Sequence, residues 1–351
     1  MKNIKIGKKY IGISKPPFLI AEISGNHKKN IKRIYKIIDE ASKAGFDAIK
    51  IQTYKPDTIT MNLKKNDFKI LDKKSLWKSK TLFEVYKKGS IPWNWHKKLL
   101  KYCKKKKIVF FSTPFDETAV DLLESINIDL YKVASFEITH YPLLKKIALT
   151  RKPVILSTGM ASIKEINLAL KTLKSNGCKN IIILKCTSSY PAHLNDSNLK
   201  TIKDMMKKFN LNIGLSDHSI GFANSILAIL LGACVIEKHV TIDKNDGGLD
   251  SKFSLEAKDF KKFVYECKNV KKALGKIYYG PTKNELSSLK YRRSIYVSKD
   301  IKKGEIITKK NIKVVRPSLS LNPIYYERII GRKVQNSLKY GDKISLKDLK
   351  K

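Results

Sequence analysis

"GLSDHSIG" at residues 214–221 and "ACVIEKHV" at 233–240 decide how this chain is read. Each is a short apolar run that turns polar at its end, and each reaches a histidine, His218 or His239. The chain between them is long enough for one helix. The pattern is therefore strand, helix, strand, with imidazoles at matching strand ends. Period-2 alternation puts Ser216 with His218, and Glu237 with His239, on common faces.

The same unit repeats outward from this pair. Further strands are predicted at 18–24, 48–54, 108–114, 130–135, 153–159 and 180–187, with the two histidine strands at 212–218 and 234–240. All are apolar runs of the kind found in strands covered on both faces. Helical patterns lie between most of them. Ile31, Ile34, Tyr35, Ile38 and Ala41 share one face, with Asn30 as N-cap and Gly45 past the end. "SIKE" at 162–165 is a capping box. A last helix is expected over 256–275. Eight such units predict a closed (β/α)8 TIM barrel. The alternative, an open doubly wound sheet, usually has fewer strands, and no GxGxxG follows the first strand here. The connection from 55 to 107 is too long for a simple loop and holds all three tryptophans. It reads as a substrate lid or as a packing elaboration.

Past residue 280 the pattern becomes short β-like runs separated by Lys-Gly turns. "DIKKGEIITKKNI" at 300–312 and "SLKYGDKISLKDL" at 337–349 are an internal repeat. They predict a small pseudo-symmetric β-rich domain. The expected division is 1–280 for the barrel and 281–351 for the second domain, with the linker around 276–290.

Composition narrows the function. The net charge is +41, with lysine in nearly every predicted helix and loop. A polyanion-binding protein is one reading, testable as a salt-sensitive shift of DNA or acidic glycan. That reading leaves the polar strand ends unexplained. Lysine spread over solvated faces, steering anionic substrates inward, is the other. No apolar run suits a membrane span, and the five cysteines lack CxxC spacing. Free thiols and a cytoplasmic location are expected.

In a barrel the C-terminal strand ends carry the site. Here they carry Glu22, Ser24, Lys50, Gln52, Thr113, Lys132, Ser135, Ser157, Ser216, His218, Glu237 and His239. Lys50 and Lys132 sit inside apolar runs, where desolvation demands an anion. That anion is either an internal carboxylate, Glu22 or Glu137, or a bound phosphate or carboxylate. His218 and His239 are either satisfied core histidines or the two imidazoles of a divalent-metal site with open positions.

"IAEISGNH", "AIKIQTYKPDT", "FSTPFDETAVDLLE", "YKVASFEITH", "LSTGMAS", "LKCTSSYP", "GLSDHSIG" and "VIEKHVTID" together resemble the sialic acid synthase family, in order, from about residue 17 onward. The C-terminal repeat resembles the family's SAF, or antifreeze-like, domain. The resemblance implies condensation of phosphoenolpyruvate with an amino sugar to give a nonulosonic acid, a transferase reaction. It implies a divalent metal on His218 and His239, usually Mn²⁺, with Mg²⁺ or Co²⁺ as alternatives. It assigns Lys50, Thr113, Lys132, Ser135, Ser157 and Ser216 to phosphoenolpyruvate. Gln52, Tyr190, Asp250 and, across a domain-swapped homodimer, the partner's Arg316 go to the sugar. Glu22 and Glu137 become the catalytic-site carboxylates, with Glu137 handling the proton of the attacking water. Ser188 stands where sialic-type members have asparagine, Lys185 where they have histidine, and "RPSLSLNP" where they have RPGNG. These departures resemble the branch that takes 2,4-diacetamido-2,4,6-trideoxy-β-L-altropyranose and forms pseudaminic acid. The branches forming legionaminic and N-acetylneuraminic acid are the alternatives.

Overall fold

The computed structural model describes residues 1–71 and 77–350 and divides into two units, Met1–Gly275 and Lys276–Lys351. The chain turns from one to the other a few residues before the expected 280/281 boundary.

The first unit opens with a hairpin, β1 (Ile4–Ile6) and β2 (Lys9–Ile11). Eight parallel strands follow: β3 (Phe18–Glu22), β4 (Ala48–Thr53), β5 (Val109–Pro114), β6 (Tyr131–Val133), β7 (Val154–Ser157), β8 (Ile181–Cys186), β9 (Asn212–Asp217) and β10 (Val235–Thr241). Each pairs with the next, and β10 pairs with both β9 and β3, so the barrel closes. A short strand, β11 (Leu255–Glu256), is added outside β10.

Alternation along each strand builds two cores. Leu19, Ile49, Ile183, Leu215 and Ile236 face the surrounding helices. Phe18, Ile20, Phe111, Ile155, Leu184 and Val235 fill the interior, where they meet Ile4, Ile6 and Ile11 of the hairpin. The hairpin thus plugs the N-terminal end of the barrel, and Lys9 ties it to Asp47 at 2.6 Å. With the bottom packed by isoleucines, the polar ends of the strands are left at the other mouth.

The helix Ile31–Ala44 begins as the sequence predicts: the Asn30 side chain accepts from Lys32 N and Arg33 N, and Gly45 closes it at φ 93°. Ser162 and Glu165 form the expected capping box at the start of Ile163–Ser175. In the long 55–107 connection, residues 72–76 lie outside the described residues. The remainder includes the helices Leu82–Gly89 and His96–Lys105. Ile91, Leu99 and Cys103 join the outer core, and His96 Nε2 lies 2.7 Å from Thr53 Oγ1. This part packs as an integral piece of the barrel wall. Among the described residues no helix is long and apolar enough to cross a membrane.

The second unit contains the antiparallel pair β12 (Ser294–Val297) and β13 (Ile312–Val315). Its repeat is visible in matched hydrogen bonds. Lys302 N donates to Glu305 and Lys339 N to Asp342, both at 2.7 Å; Thr308 N to Asn311 and Ser345 N to Asp348 repeat the match. Ile301 and Leu338 exchange backbone hydrogen bonds at 2.8 Å, where the two copies meet. Gly304 and Gly341 hold the same left-handed turn, at φ 85° and 89°.

Candidate active site

β3, β4, β6, β9 and β10 direct Glu22, Lys50, Lys132, Ser216 and Glu237 to the interior, on the faces that carry Ile20, Ala48, Leu130, Gly214 and Val235 lower down. Lys50 Nζ lies 2.9 Å from Glu22 Oε2 and 3.3 Å from Glu237 Oε1, and donates to Thr113 Oγ1 at 3.1 Å. Lys132 Nζ donates to Ser157 Oγ at 2.7 Å and to Val133 O at 3.0 Å. Its nearest carboxylate contact, Glu237 Oε1, is 3.9 Å away. Ser216 Oγ donates to the same oxygen at 3.3 Å. All of these side chains are buried.

The two lysines are not equivalent. Burial disfavours both ammonium groups. For Lys50 the two carboxylates more than offset it, and its pKa is raised. For Lys132 burial wins over Glu237, and the pKa is lowered. Burial also raises the Glu237 carboxyl, but Lys132 and Lys50 overcome it and hold it ionised, below its ordinary value. Burial pushes Glu22 up to about 7 against the pull of Lys50. Lys132 is therefore the cation short of an anion.

Glu137 follows β6 on the 3₁₀ turn Ser135–Glu137. Burial raises it to about 7, with Lys132 pulling the other way. Its Oε2, Glu22 Oε1, Glu237 Oε2 and His239 Nδ1 are buried without hydrogen-bond partners among the described residues, whereas Glu22 Oε2 has the Lys50 ammonium 2.9 Å away. Groups of this kind are rare in a finished interior and mark a place where a ligand completes the bonding.

His218 and His239 face each other with ring centroids 5.2 Å apart. Burial, followed by the nearby His218, holds His239 well below its ordinary pKa, so its ring is neutral. His218 Nδ1 lies 3.0 Å from Thr187 O; donating there leaves the Nε2 lone pair free, the usual outer bond of a metal-ligating histidine. Burial disfavours a charged His218 ring, but Cys186, whose Sγ lies 3.8 Å from its Nδ1, outweighs it and raises its pKa. His239 is a ready imidazole donor, and His218 becomes a second one on releasing its proton. Among the described residues no group of three or more His, Cys, Asp or Glu side chains surrounds a single point, so solvent or substrate would fill the other positions.

Of the remaining predicted residues, Tyr190 and Asp250 lie beside the histidines, Gln52 lies near the end of β4, and Ser135 and Ser188 follow β6 and β8 at the same mouth. Tyr190 lies against His218 at 4.5 Å and Phe253 at 5.4 Å between ring centroids. Asp250 Oδ2 accepts from Gly25 N at 3.1 Å and is 3.9 Å from His239 Nδ1. Gln52 Nε2 donates to Ser24 Oγ at 3.0 Å. Ser135 Oγ accepts from Gly159 N at 3.0 Å, and Ser188 Oγ is 3.6 Å from Cys186 Sγ. Lys185 has the outward parity of its strand and donates to Thr187 Oγ1 at 2.8 Å. Arg316 belongs to the second unit, just past β13.

Three residues shape the site in ways that their positions in the sequence do not reveal. Glu237 bridges both lysines. Ser24, at φ 46°, is a non-glycine residue held left-handed beside Gln52 and Gly25. At Gly159 a Cβ would come within 2.1 Å of Ser188 Oγ and 2.8 Å of Ser135 Oγ. Alternation already places Glu237 on the face of His239, but its bridging of the lysines, like the other two features, depends on neighbours far away in the chain.

The fold and the site together define a closed (β/α)8 barrel with a charged, ligand-hungry mouth, followed by a small repeated β unit. A model of the NeuB family matches residues 37–279, and one of the SAF domain matches 292–350. The chain belongs to the NeuB family. It is 40% identical over 336 residues to the pseudaminic acid synthase of Campylobacter jejuni subsp. jejuni strain 81-176, covering 96% of this chain and 97% of that one. It is 39% identical over 339 residues to the pseudaminic acid synthase of Helicobacter pylori strain 26695, covering 96% and 98%. A solved structure, the N-acetylneuraminic acid synthetase of Leptospira borgpetersenii in complex with citrate, superposes with a TM-score of 0.71 at 34% identity, covering 83% of this chain and 96% of that one.

Proposed function

We propose that this barrel condenses phosphoenolpyruvate with 2,4-diacetamido-2,4,6-trideoxy-β-L-altropyranose and water, giving pseudaminic acid and phosphate. One observation carries the reading: Lys132, a buried ammonium lacking a close carboxylate, stands among hydroxyls and orphaned carboxylate oxygens at the mouth of a closed barrel. A small acidic molecule carrying phosphate and carboxylate satisfies the ammonium and the hydroxyls, and the hydroxyl and amide donors of a sugar suit the carboxylate oxygens. The choice of sugar rests on the relatives named above.

In this reading Lys132 and Lys50 take the phosphate and carboxylate, with Thr113, Ser135, Ser157 and Ser216 donating hydroxyls. Ser188 lines the same side through Cys186 and Gly159. Gln52, Asp250 and Tyr190 orient the open-chain sugar so that its aldehyde carbon meets C3 of the enol. A bond forms between those two carbons, the aldehyde oxygen gains a proton, water adds to C2, and phosphate leaves with the bridging oxygen. Glu137, whose carboxyl sits near neutrality, takes the proton from the attacking water. Glu22 fixes the Lys50 ammonium. His218 and His239 would hold a divalent cation, Mn²⁺ with Mg²⁺ or Co²⁺ as substitutes, which supplies Lewis-acid polarisation of the aldehyde oxygen.

The loops after β6, β7, β8 and β9 expose Phe136, Met160, Leu194 and Ile220. Apolar side chains on four successive loops around a catalytic mouth suit a surface that another chain covers. This supports a domain-swapped homodimer in which the partner's Arg316 reaches the sugar.

Phosphate release is the test. With phosphoenolpyruvate and Mn²⁺, the altropyranose is expected to release phosphate, and N-acetylmannosamine and the legionaminic acid precursor to do so weakly or not at all. Release with N-acetylmannosamine but not the altropyranose overturns the choice of sugar.

A further inference from the structure

The two histidine strands carry a second matched pair, on the opposite face. Asp217 alternates with Ser216 and His218, and Lys238 with Glu237 and His239. Asp217 and Lys238 are direct ladder neighbours between β9 and β10. They point outward with Leu215 and Ile236, toward the helix Ala223–Leu230. Lys238 Nζ lies 2.9 Å from Asp217 Oδ2 and donates to Ser219 O at 2.6 Å. Asp217 Oδ1 accepts from Ser219 N at 2.9 Å and Ser219 Oγ at 2.6 Å, and Oδ2 accepts from Ser225 Oγ at 2.6 Å. Both side chains are buried.

A buried ion pair loses hydration on both partners, so it is weak evidence for stability; fixing a register is its better-attested use. This one brackets His218 on both sides, through Asp217 and the Ser219 backbone, and anchors the result to the residue before His239. We infer that Asp217 and Lys238 are positioning residues: their ion pair sets the spacing and aim of the two imidazoles. The inference rests on the metal reading above and adds that the site's geometry is fixed from behind the sheet. Both side chains point away from the barrel interior, with Leu215 and Ile236.

The variant Asp217→Asn with Lys238→Met removes both charges. The amide introduced by the first substitution keeps an oxygen acceptor for Ser219 and turns its NH2 to the Ser225 hydroxyl, which can accept from it, and the thioether chain introduced by the second fills the space of the lysine stem. Cobalt(II) is titrated into the wild type and the double variant by calorimetry, with the visible d–d spectrum recorded and Tm measured on the metal-free proteins. The expected result is roughly 10-fold weaker cobalt binding with an altered spectrum, and a Tm equal to or above that of the wild type. Cobalt binding equal to the wild type overturns the inference. So does weakened binding accompanied by a Tm lowered by more than ~5 °C, which makes the pair a stability element. A wild type that binds no cobalt overturns the metal reading itself, and this inference with it.

Discussion

The two units of the chain bury different things. The C-terminal unit has a core of Ile295, Val297, Ile301, Ile307, Ile312, Ile329, Val334, Leu338, Ile344 and Leu349, with Ser294 as its buried polar residue among those described. The barrel buries Glu22, Lys50, Lys132, Glu237, His218 and His239 at one mouth. In the first case a repeated sequence builds a repeated structure. In the second, eight strands of similar architecture end in different chemistry. Buried charge is costly unless paired and hydrogen-bonded, so the barrel mouth is where folding free energy has been given up for function.

That contrast is sharpest at Lys132. Lys132→Met is expected to lower turnover by roughly 10³-fold, the scale of losing a preorganised charge at a reacting centre. Tm should hold or rise, because a poorly compensated buried ammonium is removed. Steady-state kinetics and calorimetric melting together check this; a large fall in Tm would recast Lys132 as structural.

Glu137→Gln follows, with an expected loss of about 10²- to 10³-fold in kcat. In the wild type, kcat should fall as pH drops below about 7, where Glu137 takes up its proton. Stability moves in the opposite sense. The folded-state pKa of about 7 lies above the ordinary 4.5, so the folded protein holds a proton that the unfolded chain releases between those values. Stability therefore falls as pH rises through that window. The glutamine variant lacks this fall, and its Tm advantage over the wild type should emerge as pH rises through the window and be complete above pH 7. No pH-dependent difference in Tm would contradict the environment assigned to Glu137.

Gly159→Ala tests the same region sterically. The new methyl must displace Ser188 or Ser135, and KM for phosphoenolpyruvate should rise about 10-fold, or ~1.4 kcal/mol. The smallest effect belongs to the quiet unit. Gly304→Ala and Gly341→Ala meet no neighbour within 4 Å but force a Cβ into a left-handed turn. Each should destabilise by about 1 kcal/mol, and by the same amount if the two copies are physically equivalent. Unequal losses in denaturant melts would show that the repeat is only approximate.

Much of this was legible in the sequence, for a definite reason. Strands covered on both faces leave uninterrupted apolar runs, so all eight stood out. Their ends came one or two residues early where the chain turns, as at Ser24 and Ser135, into 3₁₀ helix. The opening hairpin was missed because "KNIKIGKKYIGI" interrupts three-residue strands with lysines and reads as solvated chain. At the mouth, Glu22, Lys50, Lys132, His218 and His239 stood out as polar residues inside apolar runs. The bridging position of Glu237 was hidden because it depends on which strands become neighbours on closure. The inequality of the two lysines was hidden for the same reason. No local pattern says that Glu22 lies beside one and not the other.

The most direct measurement is a calorimetric titration of phosphoenolpyruvate into the wild type and Lys132→Met. The wild type should bind, and the variant should lose at least ~100-fold in affinity while remaining folded. Equal affinity for both proteins would contradict the assignment of the barrel's undercompensated lysine to the acidic donor.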